Sequence, residues 1–228
     1  MASYEPRRSD ARLIVYLDVK SPYAYLAKDP TKQLIHDFNI EIDWRPLTLN
    51  IPSFLGSARV DDRGEVVESK RSPRQWNSVR YAYMDAKRYA RINDIKIYGP
   101  RKIWDTRLIH IAFLYVKERF SEKLLPFLDH VYERFWLRDL DVESLEVVHG
   151  ALKNVGVPDE DFDNYLEGEG GVAHDRLQDE LHPAGIFGVP SYIIDDELFF
   201  GRENLPYVRW ILGGRDGPPP DIAYQGFT

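Results

Sequence analysis

Leu13-Ile14-Val15-Tyr16-Leu17-Asp18-Val19-Lys20-Ser21-Pro22-Tyr23-Ala24-Tyr25-Leu26 is the stretch that decides the fold. Its first five residues are apolar, β-branched or aromatic with no polar interruption, the pattern of a buried strand. The run stops at Asp18-Val19-Lys20. Ser21 then stands directly before Pro22, and a helical pattern follows. Proline is favoured at the first helical position because the N–H it lacks would be unpaired there anyway. Serine is a good N-cap, because its oxygen accepts one of the orphan N–H groups. The segment therefore predicts strand, short loop and helix, with a hydroxyl delivered to the helix start. Two readings of Ser21 stay open: a cap and nothing more, or a member of an anion site. Free N–H groups and the positive end of the helix dipole face whatever lies beside it.

Working outward, Tyr25, Leu26, Leu34, Ile35 and Phe38 continue the helical pattern, and Asp29-Pro30 predicts a kink or break. Ile40 to Trp44 alternates and predicts a second strand, closed by Arg45-Pro46. Strand, helix, strand in this space predicts a right-handed βαβ unit. Residues 47–75 are poorly patterned and read as a long loop, functional or mobile. Helical patterns follow over Gln75 to Asn93, Ile103 to Phe120, a segment capped by Ser121, Leu140 to Val155 and Pro158 to Glu167. Gly170-Gly171 reads as a break before a helix over Val172 to Leu181. The pattern returns to β at Val189 to Ile194, with a hairpin turn at Asp195-Asp196 and a partner strand at Leu198 to Phe200. Glu203 to Leu212 reads as a closing helix, and the Pro218-Pro219-Pro220 tail as extended. The expected class is α/β, a βαβ … ββα fold in two halves, 12–48 and 183–213, around an all-helical insertion at 49–182. Residues 1–11 and 214–228 read as terminal arms, the first of them loose.

A chain of 228 residues with 43% hydrophobic content suits one compact domain or a domain carrying an insertion. The net charge of −7 lacks the basic footprint of a nucleic-acid binder. No apolar run reaches bilayer length and none of secretory type follows the N-terminus, so the expected setting is cytoplasmic, with no membrane partner. Cysteine is absent, which excludes disulfides, thiolate metal sites, a cysteine nucleophile and dithiol redox chemistry by this chain alone. The histidines His36, His110, His130, His149, His174 and His182 show no metal-binding spacing, so no metal is expected. G-x-S-x-G, P-loop and G-x-G-x-x-G motifs do not occur.

Two segments carry a resemblance. Asp18-Val19-Lys20-Ser21-Pro22-Tyr23-Ala24-Tyr25-Leu26-Ala27 is one. The other is Gly185-Ile186-Phe187-Gly188-Val189-Pro190-Ser191 with Phe199-Phe200-Gly201-Arg202-Glu203-Asn204-Leu205. Together they resemble the thioredoxin-fold family of 2-hydroxychromene-2-carboxylate isomerases and kappa-class glutathione transferases, within the DsbA-like superfamily. Weaker matches are Arg45-Pro46, Tyr81 with Asp85 and Arg88, and Phe135-Trp136. The resemblance implies a thioredoxin-like fold, glutathione as cofactor or co-substrate, a small-molecule substrate and a homodimer. It puts Ser21-Pro22-Tyr23-Ala24 where dithiol relatives carry C-x-x-C, with the Ser21 hydroxyl as a catalytic thiolate stabiliser. A thiol needs help to ionise near neutral pH, and a hydroxyl at a helix N-terminus gives it. Lys20 adds positive potential in this reading, or points into solvent. Ser21, Pro22, Tyr23, Val189, Pro190, Phe200, Gly201, Arg202 and Glu203 are the implied glutathione-binding residues. Pro190 is the implied cis-proline, and Glu203 pairs with the α-ammonium of the γ-glutamyl end. Without the resemblance, Pro190 starts an edge strand and Glu203 is an ordinary first-turn acid.

The chain also departs from the family. Arg202 replaces a small polar residue, and Glu203 stands where Asp is usual. The isomerase branch has a lysine near the position of Ser53, where this chain has none. Only Arg74 remains of an asparagine–arginine pair, with Asn50 or Asn77 as substitutes. Arg74, Trp76 and Asn50 are the substrate-binding candidates. Trp76, Tyr81, Tyr83 and Tyr89 read either as core or as the lining of a second-substrate pocket. The leading expectation is a glutathione-dependent isomerase or transferase acting on an aromatic or electrophilic small molecule. The alternatives are a non-catalytic thioredoxin-fold protein holding a peptide in the cis-proline groove, and a structural subunit that has lost its cysteines.

Overall fold

The computed structural model describes residues 4–223; the ends of the two terminal arms, 1–3 and 224–228, lie outside the described residues. In chain order the elements are β1 (Leu13–Leu17), α1 (Pro22–Phe38), β2 (Ile42–Pro46), α2 (Ile51–Leu55), β3 (Ala58–Val60), β4 (Val66–Ser69), α3 (Pro73–Ile92), α4 (Arg107–Arg119), α5 (Leu124–Trp136), α6 (Leu145–Asn154), α7 (Phe162–Glu167), α8 (Glu169–Leu181), β5 (Ser191–Ile194), β6 (Glu197–Phe200) and α9 (Leu205–Leu212). Short 3-10 turns at Ser121–Lys123 and Arg202–Asn204 precede α5 and α9. The chain divides into two units: one runs to Leu47 and resumes at Asp175, the other spans Thr48–His174.

The first unit is built on a four-stranded sheet of order β2-β1-β5-β6. β1 pairs parallel with β2 and antiparallel with β5, and β5 pairs antiparallel with β6. β1 is therefore central, all five of its residues are buried, and this is why its sequence is apolar throughout rather than alternating. β2 is an edge strand and reaches further than its alternation predicts. Arg45 and Pro46 belong to it, opposite Tyr16 and Leu17, a position where an edge strand tolerates proline.

Helix α1 runs unbroken through Pro30, against the break that Asp29-Pro30 predicts. Pro30 is exposed, while Ala27, Thr31 and Leu34 beside it are buried. The Thr31 hydroxyl also donates to the Ala27 carbonyl at 2.7 Å. Packing along that face outweighs a local cost of about 3 kcal/mol. Asn39, at φ 49°, ends the helix in the left-handed conformation.

Residues 4–11 are not a loose arm. Arg45 is 2% exposed, and its guanidinium donates to the carbonyls of Glu5 at 2.5 Å and Arg8 at 2.7 Å. The Tyr16 hydroxyl donates to the Pro6 carbonyl at 2.7 Å. The turn between β5 and β6 places Asp195 at φ 52° and Asp196 at φ 63°, as a two-residue hairpin turn requires. Three arginines hold it: Arg7 donates to the Asp196 carbonyl, and Arg12 and Arg215 bond the Asp195 carboxylate. The hydrogen bond from Arg12 holds the Asp195 carboxyl below its ordinary 3.8, against partial burial and with further help from Arg215. Because the folded value is depressed, this stabilisation is complete above the unfolded value and is lost as pH falls through the folded one. The stability gap between wild type and Asp195→Asn, followed by denaturant unfolding, is therefore open at neutral pH and closes in acid.

The second unit is mostly helical, but not wholly. Within 47–75, expected as loop, α2 is followed by the β3–β4 hairpin. Every residue of β4 is exposed, so no buried face marked the strand in the sequence. The Asp61 carboxylate closes the hairpin turn by accepting the N–H groups of Arg63 and Glu65, each at 2.9 Å. Ser72 and Gln75 form a reciprocal capping box that starts α3 at Pro73, two residues before the predicted start. α4 starts at Arg107 rather than Ile103, and its residues Ile109–Val116 are all buried. Ser121 opens a 3-10 turn instead of capping α5. Ser144 caps α6, so Leu140 and its neighbours stay outside the helix. The Thr48 hydroxyl lies 2.7 Å from His110 Nδ1 and 3.0 Å from His174 Nε2, both imidazoles being buried. One hydroxyl has one proton to give, so it donates to one ring and accepts from the other when both are neutral.

Gly170-Gly171 does not interrupt the chain; both glycines lie inside α8. A Cβ at Gly170 would fall 2.0 Å from the Tyr165 ring, so the glycine is there for close approach. Gly170→Ala is expected to cost about 1–3 kcal/mol through overpacking, read as a lowered unfolding midpoint. The sequence places the second unit boundary at 182/183, whereas it falls inside α8. From Asp175 onward the helix belongs to the first unit, where Gln178 donates to the Pro46 carbonyl at 3.2 Å.

Candidate active site

The register of the sheet decides what meets at its end. β1 finishes at Leu17, beside Pro46; Tyr16 lies opposite Ser191 at the start of β5, and Ser191 opposite Phe200 at the end of β6. The loop to Ser21, the Val189-Pro190 bond and the Gly201–Glu203 segment therefore leave the sheet at the same end. The 3-10 turn carrying Arg202 and Glu203 also packs against α1. Ser21, Pro22, Tyr23, Val189, Pro190, Phe200, Gly201, Arg202 and Glu203, expected together from the sequence, all belong to this end of the first unit.

Ser21 is the N-cap of α1, 5% exposed, and its Oγ accepts the Ala24 N–H at 3.2 Å. Pro22 occupies the first helical position. The cap uses the hydroxyl as an acceptor only, and a serine hydroxyl has a donor as well. The two readings of Ser21 are thus compatible. The oxygen holds the helix, and the O–H is left to donate to an anion at a positive helix end.

The Val189-Pro190 peptide is cis. The Pro190 carbonyl is taken by the Gly201 N–H at 2.8 Å, which ties this bond to the end of β6. Among the described residues no backbone hydrogen bond engages Val189, although it is 6% exposed. Its N–H and C=O are therefore available to an extended ligand that pairs as a strand would. Phe187 and Phe200 flank this segment as an exposed aromatic pair, ring centroids 4.8 Å apart, with Phe200 lying over Gly188.

Gly201 adopts φ 102° and ψ 146°, a conformation essentially reserved for glycine. The Glu203 carboxylate folds back over it, so that a Cβ at Gly201 would lie 2.5 Å from the carboxylate atoms. Glu203 itself is exposed. Below it, burial raises the pKa of the Tyr192 hydroxyl and the Glu203 charge adds to that shift. Gly201→Ala is expected to cost about 1–3 kcal/mol of backbone strain and to displace Glu203. The check is a lower melting temperature together with weaker binding of any ligand whose ammonium Glu203 holds.

The substrate-binding candidates lie in the other unit. Asn50 precedes α2 without a side-chain capping bond, and its carbonyl accepts from Ser53. Arg74 is exposed in the first turn of α3. Trp76 donates from Nε1 to Ser69 at 3.1 Å, with the guanidinium carbons of Arg71 and Arg80 at 5.0 and 5.6 Å from its ring. The aromatic stripe divides: Tyr81 is 59% exposed, whereas burial raises the pKa of Tyr83, which packs 6.4 Å from the buried Trp136 ring. Lys20 does not point into solvent; it is 9% exposed and its Nζ lies 3.6 Å from Asp18. The buried Asp18–Lys20 pair went unread in the sequence. The available signal was two charges inside an otherwise apolar run.

A family profile described as DSBA-like thioredoxin domain matches residues 12–212. The chain belongs to this family. The DSBA-like domain has relatives along most of its length. The 2-hydroxychromene-2-carboxylate isomerase of Pseudomonas putida is 25% identical over 204 residues, 87% of this chain and 92% of that one. The enzyme of the same name from Sphingobium xenophagum is 21% identical over 202 residues, covering 86% and 95%. A solved 2-hydroxychromene-2-carboxylate isomerase superposes with TM-score 0.70 at 19% identity, over 89% of this chain and 95% of that one. A probable DsbA oxidoreductase from Streptomyces coelicolor superposes with TM-score 0.64 at 17% identity, over 93% and 94%. Both structures share the fold. The kinship places this DSBA-like chain among enzymes of isomerase type.

Proposed function

We propose that the chain is a glutathione-dependent isomerase or transferase acting on an aromatic, electrophilic small molecule. The observation that carries the reading is Ser21. A hydroxyl with a proton still to donate caps the helix at the place where dithiol relatives carry sulfur, in a chain with no cysteine. The sulfur then comes with the ligand. In this reading the Ser21 O–H donates to the glutathione thiolate, Val189 pairs with the peptide backbone, and Glu203 takes the γ-glutamyl ammonium. Phe187 and Phe200 offer an apolar seat beside Val189 for the aromatic part of the substrate.

The chemistry follows from the sulfur. The thiolate adds to an electrophilic carbon of a conjugated C=C–C=O system. A C–S bond forms, and the alkene electron pair moves to the carbonyl oxygen as an enolate. The former double bond now rotates. When the enolate collapses it re-forms the C=C bond and expels the thiolate, so glutathione is recovered. Protonating the enolate carbon instead leaves a conjugate. The same reading carries a cytoplasmic setting and a homodimer. Turnover of an aromatic cis-enone with and without reduced glutathione is the test. The expected result is isomerisation that requires the thiol without consuming it, or stoichiometric conjugation. Turnover independent of thiol would overturn the reading.

A further inference from the structure

Trp76 carries two cations on one ring. The guanidinium carbons of Arg71 and Arg80 lie 5.0 and 5.6 Å from its centroid. Like charges so placed repel each other. Among the described residues neither guanidinium meets a carboxylate. The chain has 37 acidic residues to 30 Lys and Arg, so acids are not scarce. Arg45, Arg88, Arg119, Arg176 and Arg209 each pair with one.

The pair of cations is held in place. Arg71 is partly buried, and its Nε lies 3.4 Å from the Gly56 carbonyl. A Cβ at Gly56, where φ is 63°, would fall 3.1 Å from Arg71 Cγ, so the glycine lets the arginine stem lie close. Burial lowers the pKa of this guanidinium, with Tyr83 opposing. Ser69 supplies a third group. Its Oγ accepts the Trp76 Nε1–H at 3.1 Å and the Arg71 backbone N–H at 3.2 Å. A hydroxyl that accepts twice has only its proton left to give. Glu68 precedes Ser69 in β4, and successive strand residues point to opposite faces.

We propose that Ser69, Arg71 and Arg80, arranged around Trp76, form an oxyanion site for a dianionic phosphoryl- or sulfate-type group on a small molecule. Two guanidiniums balance two negative charges, and their forked donors match the edges of a tetrahedral oxyanion. Trp76 orients both forks through its ring face and takes no part in stacking on the ligand. The site uses the second unit alone and stands apart from the thiol reading.

Calorimetric titration of the whole chain with inorganic phosphate, phenyl phosphate and acetate tests it. The titrations are run at about pH 8, where both phosphates are dianions, and at one ionic strength, so that screening is constant. Both phosphates are expected to bind saturably at millimolar or lower concentration, and acetate is not. Arg80→Gln weakens phosphate binding about tenfold or more, and Ser69→Ala about threefold. Arg91→Gln removes another exposed charge from the same helix and changes binding less than about twofold. Ser69, Arg80 and Arg91 are all exposed, so these variants keep the fold.

Tighter binding of phenyl phosphate assigns the oxyanion to an aromatic carrier, and equal or weaker binding assigns it to the free ion; either supports the site. No binding of either phosphate at millimolar concentration, or acetate bound as tightly, would overturn it. So would equal losses in Arg80→Gln and Arg91→Gln, or undiminished binding in Ser69→Ala. No glutathione is present in these titrations, so failure of the thiol reading leaves their outcome unchanged.

Discussion

Ser21→Ala loses thiol-dependent turnover by about 10²–10³-fold, the scale on which enzymes lose rate when one donor to a developing or held anion is removed. The same change removes the acceptor for the Ala24 N–H, which is bonded at 3.2 Å in the wild type. Loss of an N-cap costs about 1 kcal/mol, so a modest fall in the melting temperature accompanies the loss of rate. The two effects come from different halves of one hydroxyl and separate in a second variant. Ser21→Asp keeps a strong N-cap acceptor and adds a negative charge that the helix dipole favours. It cannot donate to a thiolate when ionised, and its charge opposes one. Ser21→Asp is therefore expected to keep the cap, less the cost of burying a carboxylate at this 5% exposed position, and to be as inactive as Ser21→Ala. Kinetics at saturating glutathione and a thermal melt read both quantities. An active aspartate variant would show that the hydroxyl is a cap alone.

Arg45→Met is expected to be the most destabilising substitution away from the site, by about 3–5 kcal/mol, the cost of breaking a buried ion pair by removing one member. Arg45 donates to Asp43 from Nε at 2.9 Å and Nη2 at 2.6 Å, and to the Tyr16 hydroxyl at 3.2 Å. Burial alone would lower the pKa of this guanidinium; the hydrogen bonds and charge of Asp43 more than offset it, and the net shift is upward. Burial also pushes the Tyr16 hydroxyl up to about 12, although Arg45 opposes the shift. Without Arg45, the Asp43 carboxylate loses two charge-assisted hydrogen bonds, and the carbonyls of Glu5 and Arg8 lose their donor. Replacing both charges by apolar side chains is far milder than removing one. Arg45→Met/Asp43→Leu should recover much of the loss in denaturant unfolding. Equal destabilisation by single and double variants would mean that Arg45 acts through its packing instead.

What could be read in advance follows physical lines. The buried central strand Leu13–Leu17, the Ser21-Pro22 helix start and the Asp195-Asp196 turn were legible because each is written in local chemistry: unbroken apolar character, a cap followed by proline, and two residues that tolerate positive φ. β4 was not, because none of its residues is buried and an exposed hairpin leaves no period in the sequence. Pro30 and Gly170-Gly171 misled for one shared reason. Both are helix breakers by local preference, and both are overruled by packing, one by the buried face of α1 and the other by the Tyr165 ring. At the site, Ser21, Pro190 and Glu203 were nameable through the resemblance, whereas Asp18 and Lys20 were not, because a buried ion pair is a property of the fold and leaves no motif.

In the proposed reaction the reactive sulfur arrives on a visiting molecule. Isothermal titration of the whole chain with reduced glutathione, repeated in buffers of different ionisation enthalpy, tests it most directly. Saturable binding at millimolar or lower ligand, with release of a proton from the thiol, is the expected result. No heat of binding at millimolar glutathione, or binding without proton release that is unchanged in Ser21→Ala, would contradict it.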